Sequence, residues 1–228
     1  MKVSFWFVTI AALFVTCLIT ANIIAVKFIL LVGFLVPAGV IVFPLSYLFG
    51  DVLTEVYGYA ATRRVIWLGF FCNLLAVIAF TIGSIAPAAP FWHDQTAYST
   101  ILGYAPRLLL GSFVAYLVGE FTNSFVLARL KIATKGRWLW TRTIGSTLVG
   151  EGLDTLIFIL IAFWGTLPAS MMLQAILTQW IFKVAYEILA TPFTYWIVNF
   201  LKRKENIDAY DHATNFSPIL FRRASSQG

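Results

Sequence analysis

Five ionisable residues fall inside stretches otherwise built for hydrocarbon: Glu120, Glu151, Asp154, Lys183 and Glu187. In QWIFKVAYE, residues 179–187, Gln179, Lys183 and Glu187 recur at i, i+4 and i+8, so one helical face carries a polar stripe. A charge near the middle of a membrane span costs about 2.5–3.5 kcal/mol on insertion scales, so a chain keeping several must pair them or wet them. Four carboxylates against one lysine leave up to three negative charges unmatched, to be met by protons, by water in a cavity, or by a cationic or hydrogen-bond-donating ligand. Helix-to-helix polar contact accounts for an Asp–Lys pair, but each further carboxylate only adds desolvation cost. Asn22, Asn73, Asn123, Gln174 and Gln179 add neutral polarity to the same stretches.

These residues need elements to hold them. The chain has 228 residues, 60% of them apolar and 11% charged, whereas soluble domains carry about 25% charged residues. Its mean hydropathy is +0.86. Apolar runs of about 20 residues, enough to cross roughly 30 Å of hydrocarbon, recur along nearly the whole length. They place spans near 4–26, 28–50, 64–86, 105–128, 143–167 and 171–201. The expected fold is all-α: a polytopic membrane protein of six transmembrane helices forming a single domain over 1–204, followed by a short polar cytoplasmic tail, 205–228, partly disordered. The first run is longer than a signal-peptide core and is kept as a span.

With the N-terminus cytoplasmic, thirteen Lys and Arg residues fall on the inner side and two, Lys27 and Arg107, on the outer, leaving Lys183 in the membrane. That bias puts both termini in the cytoplasm. The net charge of +6 reflects these short loop clusters, so no nucleic acid is expected as a partner. Cys17 and Cys72 read as small buried hydrophobes.

The last two spans are joined by a few residues around 167–170 and should form an antiparallel hairpin. Asp154 and Lys183 are equidistant from its turn, so they should meet, with Glu151 and Glu187 about one turn nearer the cytoplasm and Glu120 near that level. The second span is irregular, with Pro37, Gly39, Pro44 and Gly50 in or beside VPAGVIVFPLSYLFGDVLTEVYG. Proline frees a carbonyl and kinks or interrupts a helix, and freed backbone at membrane depth needs cover from protein or a cavity. Tyr47, Asp51 and Glu55 follow at four-residue spacing on one face of this Pro-broken span; a solvated acidic turn near Arg63 and Arg64 is an equal reading.

The strings FPLSYLFGDVLTEVYG, GEFTNSFVLARLK, GEGLDTLIFILIAFWG and FKVAYEILATPFTYWIVNFLK resemble, in order, the queuosine precursor transporter family of bacterial inner-membrane proteins, over about Ala21 to Lys202. The resemblance implies six helices, a fold similar to the substrate-binding components of energy-coupling vitamin importers, and uptake of 7-deazaguanines used to make the tRNA base queuosine. It also implies motif roles for Asn22, Pro44, Asp51, Arg107, Asn123, Asp154, Lys183 and Pro192. Glu120, Glu151 and Glu187 enter the expected site on burial cost alone.

A deazaguanine has N–H donors on its pyrimidine edge and a flat face. Asp154, Glu151, Glu187 and Asn123 can accept those hydrogens, Lys183 or Gln179 can donate to the ring carbonyl, and Phe43, Tyr47 or Phe158 can stack on it. The expected function is thus import of a purine-like small molecule across the bilayer, with no cofactor, and with either a monomer or a homodimer compatible. Proton coupling, facilitated diffusion and a separate ATPase module all stand as energy sources, because the chain has no G-x-x-x-x-G-K-[ST] loop. An intramembrane enzyme is disfavoured because both histidines, His93 and His212, fall outside the spans. A purely structural membrane protein is the remaining alternative.

Overall fold

A computed structural model describes residues 4–31, 34–103 and 106–219. Its long elements are helices, seven α-helices among the described residues, together with one short hairpin. Helix α1, Phe5–Ile24, is started by Ser4, whose hydroxyl oxygen accepts from the Trp6 and Phe7 amides at 3.1 and 3.3 Å. Two strands follow, β1 Phe28–Leu31 and β2 Phe34–Pro37, paired antiparallel with Phe28 opposite Pro37 and Leu31 opposite Phe34. A 3-10 helix, Ala38–Ile41, leads into α2, Phe43–Tyr57, then come α3 Tyr59–Ile85, α4 Gln95–Leu102, α5 Pro106–Ala133, α6 Leu139–Phe163 and α7 Ala169–Glu205.

The second apolar run departs from the expectation of one helix over 28–50. Its described residues up to Pro37 are two paired strands, and the α-helix begins fifteen residues later than expected and continues to Tyr57. An apolar run rich in Ile, Leu, Val and Phe has no period that separates strand from helix, so the prolines decide. Pro37 ends β2, and Pro44 sits in the first turn of α2, where its missing N–H has no intrahelical partner to lose. The connection between α3 and α5 contains the short helix α4.

Among the described residues, five stretches are long and apolar enough to cross a membrane: Phe5–Ile24, Ala38–Tyr57, Tyr59–Ile85, Leu108–Ala133 and Leu139–Phe163. Helix α7 is longer still but carries Gln174, Gln179, Lys183 and Glu187 and is not among the five. Leu75, Leu189 and Phe193 are among the large apolar side chains left exposed on the outside of the bundle, where hydrocarbon is the natural neighbour. This is a polytopic helical membrane protein. Cys17 and Cys72 are half-buried and unbridged rather than fully buried.

Helix α2 is the axis of the bundle: Tyr47, Val52, Leu53 and Val56 are fully enclosed, and α1, α3, α5 and α7 all touch it. It ends at Gly58, whose φ of +84° suits glycine, and a Cβ there would also crowd Ala209 and Asp211. Those neighbours belong to the tail. Instead of a solvated end, residues 206–218 fold back across one end of the bundle, and Asp211 is buried there, accepting from the Tyr59 amide at 3.0 Å. We call this the basic end.

Candidate functional site

Two glycines bring the acidic faces of α5 and α6 together. A Cβ on Gly150 would lie 2.6 Å from the Cβ of Asn123 and 3.0 Å from the Gly119 carbonyl oxygen, so only a bare backbone permits this crossing. The residue after each glycine is a glutamate, Glu120 or Glu151, and both are buried. A Cβ on Gly119 would meet the Tyr47 hydroxyl at 2.5 Å and Asp154 Cβ at 2.7 Å, which locates Tyr47 of α2 against the same crossing.

Lys183 enters from α7. Its Nζ lies 2.6 Å from Asp154 Oδ2 and 2.6 Å from Glu151 Oε2, donates to Thr155 Oγ1 at 3.2 Å, and stands 4.8 Å from the centroid of the Phe43 ring. The expected Asp154–Lys183 pair is present, and Glu151 shares it. Deeper towards the basic end, Asn123 Nδ2 donates to Asp51 Oδ1 at 2.6 Å. Asp51 is fully buried and within Coulombic reach of Glu187, Glu120 and Glu55.

Hydrogen-bonding capacity is left over. Among the described residues, both oxygens of Glu120, the Tyr47 hydroxyl, Asp51 Oδ2, Asn123 Oδ1 and Glu187 Oε1 are buried without a hydrogen-bond partner. Each such group costs about 1–3 kcal/mol, so a cluster of them needs a reason beyond stability. Glu120 presses on bare backbone: a Cβ at Gly50 would be 3.1 Å from its Oε2. The arrangement is thus a nest of acceptors with one lysine to its side and the aromatic rings of Phe43 and Tyr47, 5.6 Å apart, along one wall.

Not every expected residue joins it. Asn22 instead donates to Asn73 Oδ1 at 3.1 Å, tying α1 to α3. Gln179 is half-buried one turn from Lys183 and makes no hydrogen bond among the described residues. Phe158 packs edge-on with Phe163 at 6.2 Å. The Arg107 side chain lies outside the described residues.

The sequence reading missed a second polar centre at the basic end. Glu55, which the sequence leaves equally open between a face of the Pro-broken span and a solvated acidic turn, is fully buried. Arg142 donates to both of its oxygens at 2.7 and 2.8 Å, and Lys202 reaches Oε1 at 2.6 Å. Arg142 and Lys131 were counted as loop charges because apolar windows were cut at charged residues; α5 and α6 each extend about a turn past those cuts. Thr147 and Thr155 were also missed, and no spacing in the sequence distinguishes them from ordinary helical threonines.

An all-helical bundle with an acidic, incompletely satisfied interior and an apolar exterior is the build of a membrane transport protein rather than of a catalyst. The chain matches the family described as "Putative vitamin uptake transporter" over residues 37–197, and it belongs to that family, which is one of transporters and not of enzymes. It is 33% identical over 180 residues, 78% of each chain, to a "Probable queuosine precursor transporter" of Bacillus subtilis (strain 168). It is 29% identical over 191 residues, 82% of each chain, to the "Queuosine precursor transporter" of Escherichia coli (strain K12). No solved structure gives a significant match.

Proposed function

We propose that this protein imports a 7-deazaguanine precursor of queuosine across the bacterial inner membrane, binding it among α2, α5, α6 and α7. The observation that carries the reading is the set of unpartnered buried acceptors on Tyr47, Asp51, Glu120, Asn123 and Glu187 beside the Lys183 pair. The N–H-rich edge of the base supplies the missing donors, Lys183 serves its carbonyl, and Phe43 and Tyr47 face its ring. Gln179 stands one turn away as a further donor, and Arg107 as an expected contributor at the start of α5.

The chain crosses six times, with α1, Ala38–Tyr57, α3, α5, α6 and α7 as the spans and both termini in the cytoplasm. The basic end is then the cytoplasmic one, as the distribution of Lys and Arg favours. The excess of carboxyls over cations in the interior supports coupling to protons, which can neutralise them as the solute leaves. Relatives bearing the queuosine precursor name support the substrate class.

Uptake of labelled precursor into vesicles, with and without an imposed proton gradient, tests this. Gradient-dependent, saturable uptake that Asp154→Asn abolishes is expected. Uptake indifferent to the gradient removes the coupling, and absence of saturable uptake removes the substrate.

A further inference from the structure

Below the acceptor cluster the route to the basic end is shut in two layers. The first is a cluster of hydroxyls: Thr54 donates to the Gly50 carbonyl at 2.9 Å, and its oxygen lies 3.2 Å from the hydroxyls of both Thr62 and Ser124, all three at most 1% exposed. The second is the Glu55 centre, where cations from α5, α6 and α7 converge on one carboxylate of α2: Arg142 and Lys202 in hydrogen-bond contact and Lys131 at 3.5 Å.

The returning tail lies over this centre and shares its cations. Asp208 takes Lys131 at 2.5 Å and Lys202 at 2.9 Å, and the Ala209 amide donates to the Val56 carbonyl at 3.1 Å. Arg63 of α3 donates to the carbonyls of Asn215 and Ser217 at 3.0 and 2.6 Å. Most of these contacts are polar, and water can replace each of them at small net cost. Apolar anchorage of the segment centres on Phe216, against Tyr59, Phe125 and Arg129.

Buried ion pairs are poor sources of net stability, because desolvation offsets most of the attraction. They are good latches, because their partners can exchange. We propose that the Glu55 cage and the 206–218 strap form the gate at the basic end, closed in this structure, and that solute leaves on that side only when Asp208 and Glu55 release Lys131 and Lys202 and the strap lifts from α2 and α3. The same two lysines serve both carboxylates, so lifting the strap loosens the cage. The direction assigned to this gate rests on the transport reading and on the cytoplasmic placement of the basic end.

The test places a single cysteine at Ser124, in a chain whose Cys17 and Cys72 are replaced by alanine, and measures its labelling by a membrane-impermeant maleimide in inside-out and right-side-out vesicles. Asp208→Asn is the first variant, chosen because Asp208 is partly exposed and its loss leaves the bundle core intact. A chain ending at Glu205 is the second. Slow labelling is expected in the full chain. Asp208→Asn should speed it about tenfold from the cytoplasmic face alone, the consequence of losing one charge-assisted hydrogen-bond centre, and the shortened chain, which loses every strap contact, at least as much. Labelling that does not change, or that rises equally from both faces, overturns the gate. Binding of labelled 7-deazaguanine to the same preparations is measured in parallel, so that its absence counts against the transport reading while sided labelling still decides the gate.

Discussion

Replacing Lys183 by Met leaves two buried carboxylates facing each other with no cation between them. Glu151 and Asp154 are 1% and 5% exposed, and Lys183 Nζ is 2.6 Å from both. Removing one partner of a buried ion pair costs about 3–5 kcal/mol, and the case is more severe here because one ammonium serves two carboxylates. At about 2–4 °C per kcal/mol for a chain of this size, Lys183→Met should lower Tm by about 6–20 °C. Replacing all three groups, Lys183→Met with Glu151→Gln and Asp154→Asn, removes the uncompensated charge and should recover most of that loss, because uncharged replacement of a whole buried pair is close to neutral. Thermal unfolding of the detergent-solubilised variants reads both effects. A Lys183→Met chain melting within about 2 °C of the parent, or a triple variant no better than the single one, would refute the claim that this lysine neutralises a buried acid pair.

Gly150→Ala forces a Cβ to 2.6 Å from Asn123 Cβ, so α5 and α6 must separate; a loss of about 1–3 kcal/mol is expected in the same melting assay, and an unchanged Tm contradicts the close crossing. Asn22→Ala breaks only the hydrogen bond to Asn73 and should cost about 0.6 kcal/mol, with uptake retained; loss of uptake would return Asn22 to the site. The strap should respond to acid. Burial raises the Asp208 carboxyl, but the hydrogen bonds and charges of Lys131 and Lys202 outweigh this and hold it below the ordinary aspartate range. A group with a depressed folded value stabilises fully above the unfolded value of about 3.9 and loses that contribution as pH falls through the lower folded one. The protection factor of the Ala209 amide, its exchange rate relative to the intrinsic rate at the same pH, should therefore be constant from neutral pH down to about 5 and fall below about 4, and a fall that begins near neutrality would contradict the assignment.

The membrane class, the pairing of Asp154 with Lys183 and the burial of Glu120, Glu151 and Glu187 were legible because an ionisable group in an apolar run has few permitted fates, and hairpin symmetry sets its depth. The second span was misread because its Pro and Gly residues mark where a helix is interrupted without saying what replaces it, and an aliphatic run before a proline can pair as strands. Arg142 and Lys131 fall in loops by the sequence reading, and Glu55 stays undecided between a helix face and a solvated turn, because a window bounded at charges assumes that charges are wet. Three cations share one carboxylate, with Glu55, Lys131 and Arg142 buried and Lys202 half-buried, and no local pattern in the sequence connects positions 55, 131, 142 and 202. Docking of the tail was invisible for the same reason: it is held largely through its own backbone carbonyls, which accept from Tyr59, Arg63, Trp67 and Lys131, and its composition is that of a solvated end.

The central claim is that acceptors on α2, α5, α6 and α7 bind a donor-rich flat base. Equilibrium binding of a labelled 7-deazaguanine to the purified protein addresses it most directly. Saturable binding that weakens at least about tenfold in Glu120→Gln and in Asp154→Asn, yet is unchanged in Asn22→Ala and Asp208→Asn, is the predicted result. Binding of equal strength in all four variants, or none in the parent protein, would contradict it.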